Sequence, residues 1–229
     1  MYENLPQEML YPRAGADPMN LAMTIHRPLT VVRTSEIDAP PLERVHETLI
    51  AHARDHEDPL IMAFAGVISG AWSKRGIGAL PISGLDSAST NQLLDRCFPG
   101  AVAALRIRWD TLTGARHDFN REDETEDLVE LLLEHSSDAS EEARWAAHAV
   151  ATACMGENHL WQDMGLPSRK ALTVLLARWF PALVAKNGND MKWKKFFYKQ
   201  LCERAEIFIC KAPSCGICVD YHKCFGPEE

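Results

Sequence analysis

The chain has 229 residues, a formal net charge of −8 and 46% hydrophobic residues, so it is long enough and apolar enough to bury a core. The acidic balance argues against a general nucleic-acid binder, which carries a basic excess. No stretch approaches the roughly 18 apolar residues of a membrane span, and residues 1–20 lack the basic-then-apolar pattern of a signal peptide, so the expected location is the cytoplasm.

Residues 1–40 contain Pro6, Pro12, Pro18, Pro28 and Pro40, and no helical period survives among them. They read as a loosely ordered arm. A helical domain is expected over 41–206 and an irregular cluster-binding cysteine loop over 207–229. Leu42, Val45, Leu49 and Ala53 recur at helical spacing behind Pro40-Pro41. A second apolar segment, Leu60 to Trp72, follows Asp58-Pro59 and carries Gly66 and Gly70, small enough for close helix contact. Residues 76–86 are loop-like, with Gly76, Gly78, Pro81 and Gly84. Ser87 is placed to cap a helix to Cys97, which Pro99-Gly100 ends. The acidic run Glu122 to Asp127 opens the helix Leu128–His135 and complements its dipole. Asp138 with Glu141 reads as a capping box for an Ala-rich helix from Glu142 to Cys154. Strand signals are few and short, so the fold class is mainly α.

A faint internal repeat runs through this pattern. Gly84-Leu85-Asp86-Ser87 leads to a short helix and Phe98-Pro99, while Gly165-Leu166-Pro167-Ser168 leads to another and Phe180-Pro181. The second copy is one residue longer. The sharper reading is a duplicated helical unit with pseudo-twofold symmetry. The plainer one is two helices that use common start and stop signals.

Seven cysteines in a reducing compartment stay reduced or bind metal. Cys97, Cys154 and Cys202 sit in apolar helical settings and read as buried thiols, Cys202 the least clearly because it lies close to Cys210. The other four, Cys210, Cys215, Cys218 and Cys224, fall within fifteen positions in the pattern C-x4-C-x2-C-x5-C. Thiolates so close in sequence converge on one point with short loops, as soft metals require. Three readings compete. Zinc modules usually pair two C-x2-C knuckles across a longer spacer, and this run is more compact than that. A disulfide staple is disfavoured by compartment. An iron–sulfur or mixed-metal sulfur cluster fits best, because the first three spacings repeat the plant-type ferredoxin pattern and a compact four-thiolate loop suits a cubane. Pro213, Ser214 and Gly216 allow tight turns around it, and His222 is an accessory candidate.

The preceding segment is basic in an acidic chain. Asn189 or Asp190 is expected to cap a helix from Met191 to about Glu206. Trp193, Phe196, Phe197 and Leu201 share one face of it and read as core. Lys192, Lys194, Lys195 and Lys199 point elsewhere, either as a solvated face or as an electropositive wall beside an anion.

Three segments then carry a resemblance. Asn158-His159-Leu160-Trp161-Gln162-Asp163-Met164-Gly165-Leu166, Asp190-Met191-Lys192-Trp193-Lys194-Lys195-Phe196-Phe197-Tyr198 and the cysteine motif ending in Cys224-Phe225-Gly226 resemble the NifQ family of nitrogen-fixation proteins. The likeness is close over roughly 156–226 and looser from Gly78 to Gly100. It implies a donor that processes molybdate into a molybdenum–iron–sulfur species for the iron–molybdenum cofactor of nitrogenase. Its implied cluster ligands are Cys210, Cys215, Cys218 and Cys224, holding a [4Fe-4S]-type or Mo-Fe-S cubane. Its implied recipients are the scaffold complex NifEN and the nitrogenase iron protein NifH. A donor must release its cargo, so a cluster loop near the end of the chain suits it. The lysine helix is a meeting place for molybdate, and His159 beside Trp161 is an accessory candidate or a helix-terminal structural histidine. No nucleophile–base pair, phosphate loop or paired acid and base stands out, so the expectation is a carrier and not an enzyme. An electron-transfer module and a zinc-stabilised interaction domain are the alternatives.

Overall fold

The computed structural model describes residues 43–77, 79–107, 122–207 and 215–228. The expected arm over 1–40, Leu42 and Cys210 lie outside them. The helices in chain order are α1 (Glu43–Ala51), α2 (Pro59–Arg75), α3 (Ser87–Cys97), α4 (Ala101–Ala104), α5 (Glu122–Glu134), α6 (Glu141–Cys154), α7 (Leu160–Asp163), α8 (Arg169–Trp179), α9 (Pro181–Lys186), α10 (Trp193–Arg204) and α11 (Tyr221–Phe225). No strand forms among the described residues, only an isolated bridge between Ile77 and Ala79, so the mainly-α expectation holds. No helix among them is long and apolar enough to cross a membrane.

The core is organised around α2 and α6. Asp58 accepts the Leu60 N–H at 2.8 Å and Pro59 occupies the first helical position, so α2 starts with its orphan donors reduced. The helix is apolar on nearly every face and buries Leu60, Phe64, Ile68 and Trp72 against its neighbours. α1 packs on it through Val45 and Leu49, both fully buried, in line with their helical spacing. α6 buries Trp145, Val150 and six alanines, whose small side chains let α2 and α5 approach closely.

Two caps differ from the sequence expectation by one or two residues. α3 is capped by Asp86, which accepts the Ser89 N–H at 2.8 Å, and Ser87 is its first helical residue. α6 is capped by Ser140, which accepts the Ala143 N–H, while Asp138 makes an Asx turn by accepting the Ser140 N–H at 2.8 Å. In both places two residues, one or two positions apart, have capping side chains. The backbone geometry of the preceding loop selects between them.

The repeat is a structural duplication. Asp58 and Ser140 cap α2 and α6, Asp86 and Ser168 cap α3 and α8, and Phe98 and Phe180 end α3 and α8, all at one constant sequence spacing. The two phenylalanines adopt nearly the same backbone, φ −134° and ψ 62° against φ −133° and ψ 54°. Each is fully buried, and each N–H donates to the carbonyl four residues back at 2.7 Å. Arg54 N–H donates to Cys97 O at 2.9 Å, and Ser137 N–H donates to Trp179 O at 2.8 Å, so each loop after the first helix of a half is tied to the end of its third. Arg96 at the end of α3 pairs with Glu142 of α6, and Arg178 at the end of α8 pairs with Asp58 at the start of α2. Such reciprocal contacts are what a twofold relation between halves produces.

The extra residue of the second copy lies in its Gly-Leu turn, between Gly165 and the Ser168 cap. Both turn glycines take positive φ, +76° at Gly84 and +65° at Gly165. Each packs on the central helix of the other half, at equivalent positions. Gly84 lies on the His148 ring, whereas Gly165 lies on Gly66 with backbone against backbone. The small size of Gly66 therefore permits a close contact. Gly70, by contrast, faces open space. α7, α10 and α11 have no counterpart among the described residues of the first half, and they are the elements that carry the resemblance to the family.

Candidate metal-handling site

The turn 156–166 is built around Asp163. Its carboxylate accepts the Asn158 backbone N–H at 3.1 Å, the Asn158 side-chain amide at 3.0 Å and the Lys194 ammonium at 2.5 Å. Lys194 Nζ also donates to Gly156 O at 2.8 Å. Gly156 packs so closely that a side chain there would enter the Asp163 carboxylate. The side chains of Asp163 and Lys194 are 9% and 18% exposed, so this pair is largely withdrawn from water. Lys194 therefore points into the protein, unlike its expected partners on a solvated face. His159 stands at the start of α7, where its N–H donates to Gln162 Oε1 at 3.1 Å and its Nδ1 lies 3.7 Å from Glu228 Oε1.

The start of α10 is pinned from three sides. Asn187, not Asn189 or Asp190, organises it: the Asn187 amide accepts from Met191 N–H and donates to Met191 O, both at 2.9 Å. Asp190 takes a left-handed backbone, φ +54°, and its carboxylate and carbonyl accept from the Arg169 guanidinium. The helix consequently begins at Trp193, two residues later than expected. Trp193, Phe196 and Phe197 are buried with ring centroids 5.8 to 5.9 Å apart, as their shared face predicts. Burial of each contributes roughly 1.5–3 kcal/mol. Among the described residues Lys192 and Lys195 have no carboxylate partner.

The cysteine segment is docked on this frame. Cys215 begins a short 3-10 turn, Cys215–Ile217, and Cys218 follows it, its N–H donating to Cys215 O at 3.2 Å. Cys224 lies in α11, and its carbonyl accepts the Lys192 N–H at 2.8 Å. Tyr221 and Phe225 stack at 4.4 Å, and Cys224 and Phe225 pack against the core. His222 is exposed on α11. Among the described residues no three His, Cys, Asp or Glu side chains gather as a metal-ligand set, and Cys210 lies outside them. No described cysteine is in a disulfide. The donor chemistry suits a soft-metal cargo: Cys215 is exposed and Cys218 is partly so.

The remaining thiols differ. Burial pushes the Cys97 and Cys154 thiols up to about 12, so they stay protonated and are poor nucleophiles and poor ligands. Cys202 is half-buried. Iodoacetamide at pH 8 is expected to label Cys215 of the metal-free native protein and to spare Cys97 and Cys154. Peptide mass mapping checks this, and labelling of Cys154 before unfolding would contradict it.

Arg169 and Glu228 are the residues that sequence reasoning missed. One signal was available: Arg169 and Lys170 open α8, where the helix dipole disfavours cations, so a tertiary partner was called for. No sequence signal announces Glu228.

The three segments that carry the resemblance thus meet in one place, through Asp163–Lys194 and Lys192–Cys224, and Glu228 just beyond the third approaches His159. The class defined by fold and site is a duplicated helical domain that presents a thiol-bearing segment at its surface. The NifQ family model matches residues 63–226, and the chain belongs to that family. It is 42% identical over 160 residues to Protein NifQ of Azotobacter vinelandii, covering 67% of this chain and 82% of that protein. It is 36% identical over 154 residues to Protein NifQ of Rhodobacter capsulatus, covering 67% and 81%. It is 36% identical over 172 residues to a Protein NifQ homolog of Sinorhizobium fredii, covering 72% and 71%. No solved structure matches the chain significantly. Membership of this family gives the chain a role in nitrogen fixation.

Proposed function

We propose that the chain is a carrier that processes molybdate into a molybdenum–iron–sulfur cluster and donates molybdenum for the iron–molybdenum cofactor. The observation that carries this reading is the convergence of the three family segments, with the thiol-bearing turn on the outside of the site they form. Cys210, Cys215, Cys218 and Cys224 are its cluster ligands, and a [4Fe-4S]-type or Mo-Fe-S cubane is the cargo. Soft thiolates hold iron and molybdenum in sulfide surroundings, and exposure of Cys215 lets a recipient's thiolate replace it without net redox change. The buried frame of α7, α10 and Asn187 keeps the segment in place while its outer face stays open. The recipients are NifEN and NifH, the site of action is the cytoplasm, and transfer of cargo replaces catalytic turnover.

Oxygen-free purification followed by iron, molybdenum, zinc and sulfide analysis tests the reading. Brown protein whose molybdenum passes to the scaffold supports it. Iron with reversible redox but no molybdenum uptake would identify an electron-transfer module, and colourless protein with a single zinc would overturn both. Cys218→Ser is expected to abolish cluster retention while circular dichroism keeps its helical signal, because α1 to α10 bury their core without that thiol. A collapse of helicity in Cys218→Ser would instead make the metal structural.

A further inference from the structure

A pocket of about 430 Å³ opens between the start of α7 and the start of α10, beside the docked cysteine segment. Lys192, Lys194, Lys195 and Lys223 line it with His159, and among the described residues only Glu157 and Glu228 oppose them. Two of the four lysines are committed elsewhere, Lys194 to Asp163 at 2.5 Å and Lys223 to Asp220 at 2.7 Å. Lys192 and Lys195 have no carboxylate partner among the described residues, so their charge is available to a ligand.

The pocket already attracts an anion of the chain itself. The Glu228 side chain is 4% exposed, with one oxygen 3.7 Å from His159 Nδ1 and the other 3.8 Å from Arg169 Nε. Both distances exceed a hydrogen bond, and Arg169 Nε is buried with no hydrogen-bond partner among the described residues. Charge attraction to Arg169 holds Glu228 there without the directional bonds that would lock it. A compact anion with more oxygens can engage the His159 ring and the lysines together. Lysine ammonium groups suit such an anion because they act as point charges with rotatable donors, indifferent to planar geometry.

We propose that this pocket is a binding subsite for a tetrahedral oxyanion, with Lys192, Lys195 and His159 as donors and Glu228 as an internal occupant that the oxyanion displaces. The proposal rests on the carrier reading only for the identity of the physiological oxyanion. Binding itself needs neither cluster nor cysteine. The subsite lies next to the thiols because Lys192 is joined to Cys224 through its backbone, so an anion held there is already beside the cargo segment.

The test is equilibrium dialysis of the metal-free full chain against molybdate at low ionic strength, with sulfate and phosphate as competitors. Wild-type protein is expected to bind molybdate saturably. Lys192→Ala/Lys195→Ala should weaken binding by about tenfold or more, since losing charge-assisted contacts of this kind changes affinity on that scale. The corresponding arginine pair should restore most of it. Glu228→Gln should tighten binding several-fold. Displacement of molybdate by sulfate supports an oxyanion subsite that leaves the choice of molybdenum to the thiolates. Cys218→Ser should bind like wild type, which separates this proposal from the carrier reading: that variant loses the cluster and keeps the oxyanion. Unchanged affinity in the double lysine variant, with circular dichroism showing a native fold, overturns the proposal, and so does weaker binding by Glu228→Gln.

Discussion

Asp163→Ala is expected to destabilise the protein by about 3–5 kcal/mol, the usual cost of leaving one member of a buried ion pair without its partner. The substitution strands the Lys194 ammonium, which is 18% exposed and among the described residues otherwise retains only Gly156 O. It also removes the acceptor for the Asn158 backbone N–H and side-chain amide, so the turn that leads into α7 loses its internal ties. For a domain of this size each kcal/mol shifts the melting temperature by roughly 2–4 °C, so a fall of about 6–20 °C is anticipated in a thermal scan. Lys194→Ala should act in the same direction, through an unpaired buried carboxylate. Asp163→Leu/Lys194→Met should lose far less than the two single changes combined, because it removes both charges and fills the space. A melting temperature for Asp163→Ala within a degree or two of wild type would show that water screens the pair. The outcome also governs how lysine variants are read. Loss of function in Lys194→Ala reports on the frame of the site, whereas Lys192 and Lys195 report on its charge.

Gly66→Ala and Gly70→Ala, one helical turn apart on α2, are expected to have opposite signs. Alanine is the better helix former by about 1 kcal/mol, so propensity favours both substitutions. Gly70 faces open space, and Gly70→Ala should stabilise by about 0.5–1 kcal/mol. At Gly66 a methyl group would lie 2.7 Å from Gly165 Cα and from the Met164 carbonyl carbon, both backbone atoms that no rotamer change can move aside. Overpacking of this kind costs typically about 1–3 kcal/mol, and here backbone must separate from backbone, so a net loss near the upper end is expected. Urea unfolding of the two variants decides the matter. Stabilisation by Gly66→Ala would mean that α2 and the Met164–Gly165 turn are not in contact in solution.

The longer helices were legible, because apolar spacing and paired start and stop signals act over a few residues, whereas the short α4, α7, α9 and α11 were not expected. Val45 and Leu49, the Trp193–Phe197 face, the Ser168 cap and the Phe-Pro ends all fall where those signals put them. Helix starts shifted wherever two capping residues competed, at Asp86 with Ser87 and at Asp138 with Ser140, and at α10, where Asn187 supplies bonds that Asp190 cannot make from a left-handed backbone. The duplication showed in sequence only as a Gly-Leu turn and a Phe-Pro stop. Its stronger marks, the Arg96–Glu142 and Arg178–Asp58 pairs, join residues too distant in sequence for any local pattern to connect.

The sequence by itself determined the class of fold and the family, since each depends on short runs of residues whose spacing carries the information. It also nominated His159, Lys192, Lys194 and Lys195 as neighbours of the four motif thiols. Only the tertiary structure decided which of them are available. Lys194 is consumed by Asp163 across 31 residues of chain, Lys192 and Lys195 have no carboxylate partner among the described residues, and Glu228 enters the space between His159 and Arg169. The physical reason is that an ion pair depends on distance and desolvation, and both are set by how α7, α10 and the cysteine segment pack together.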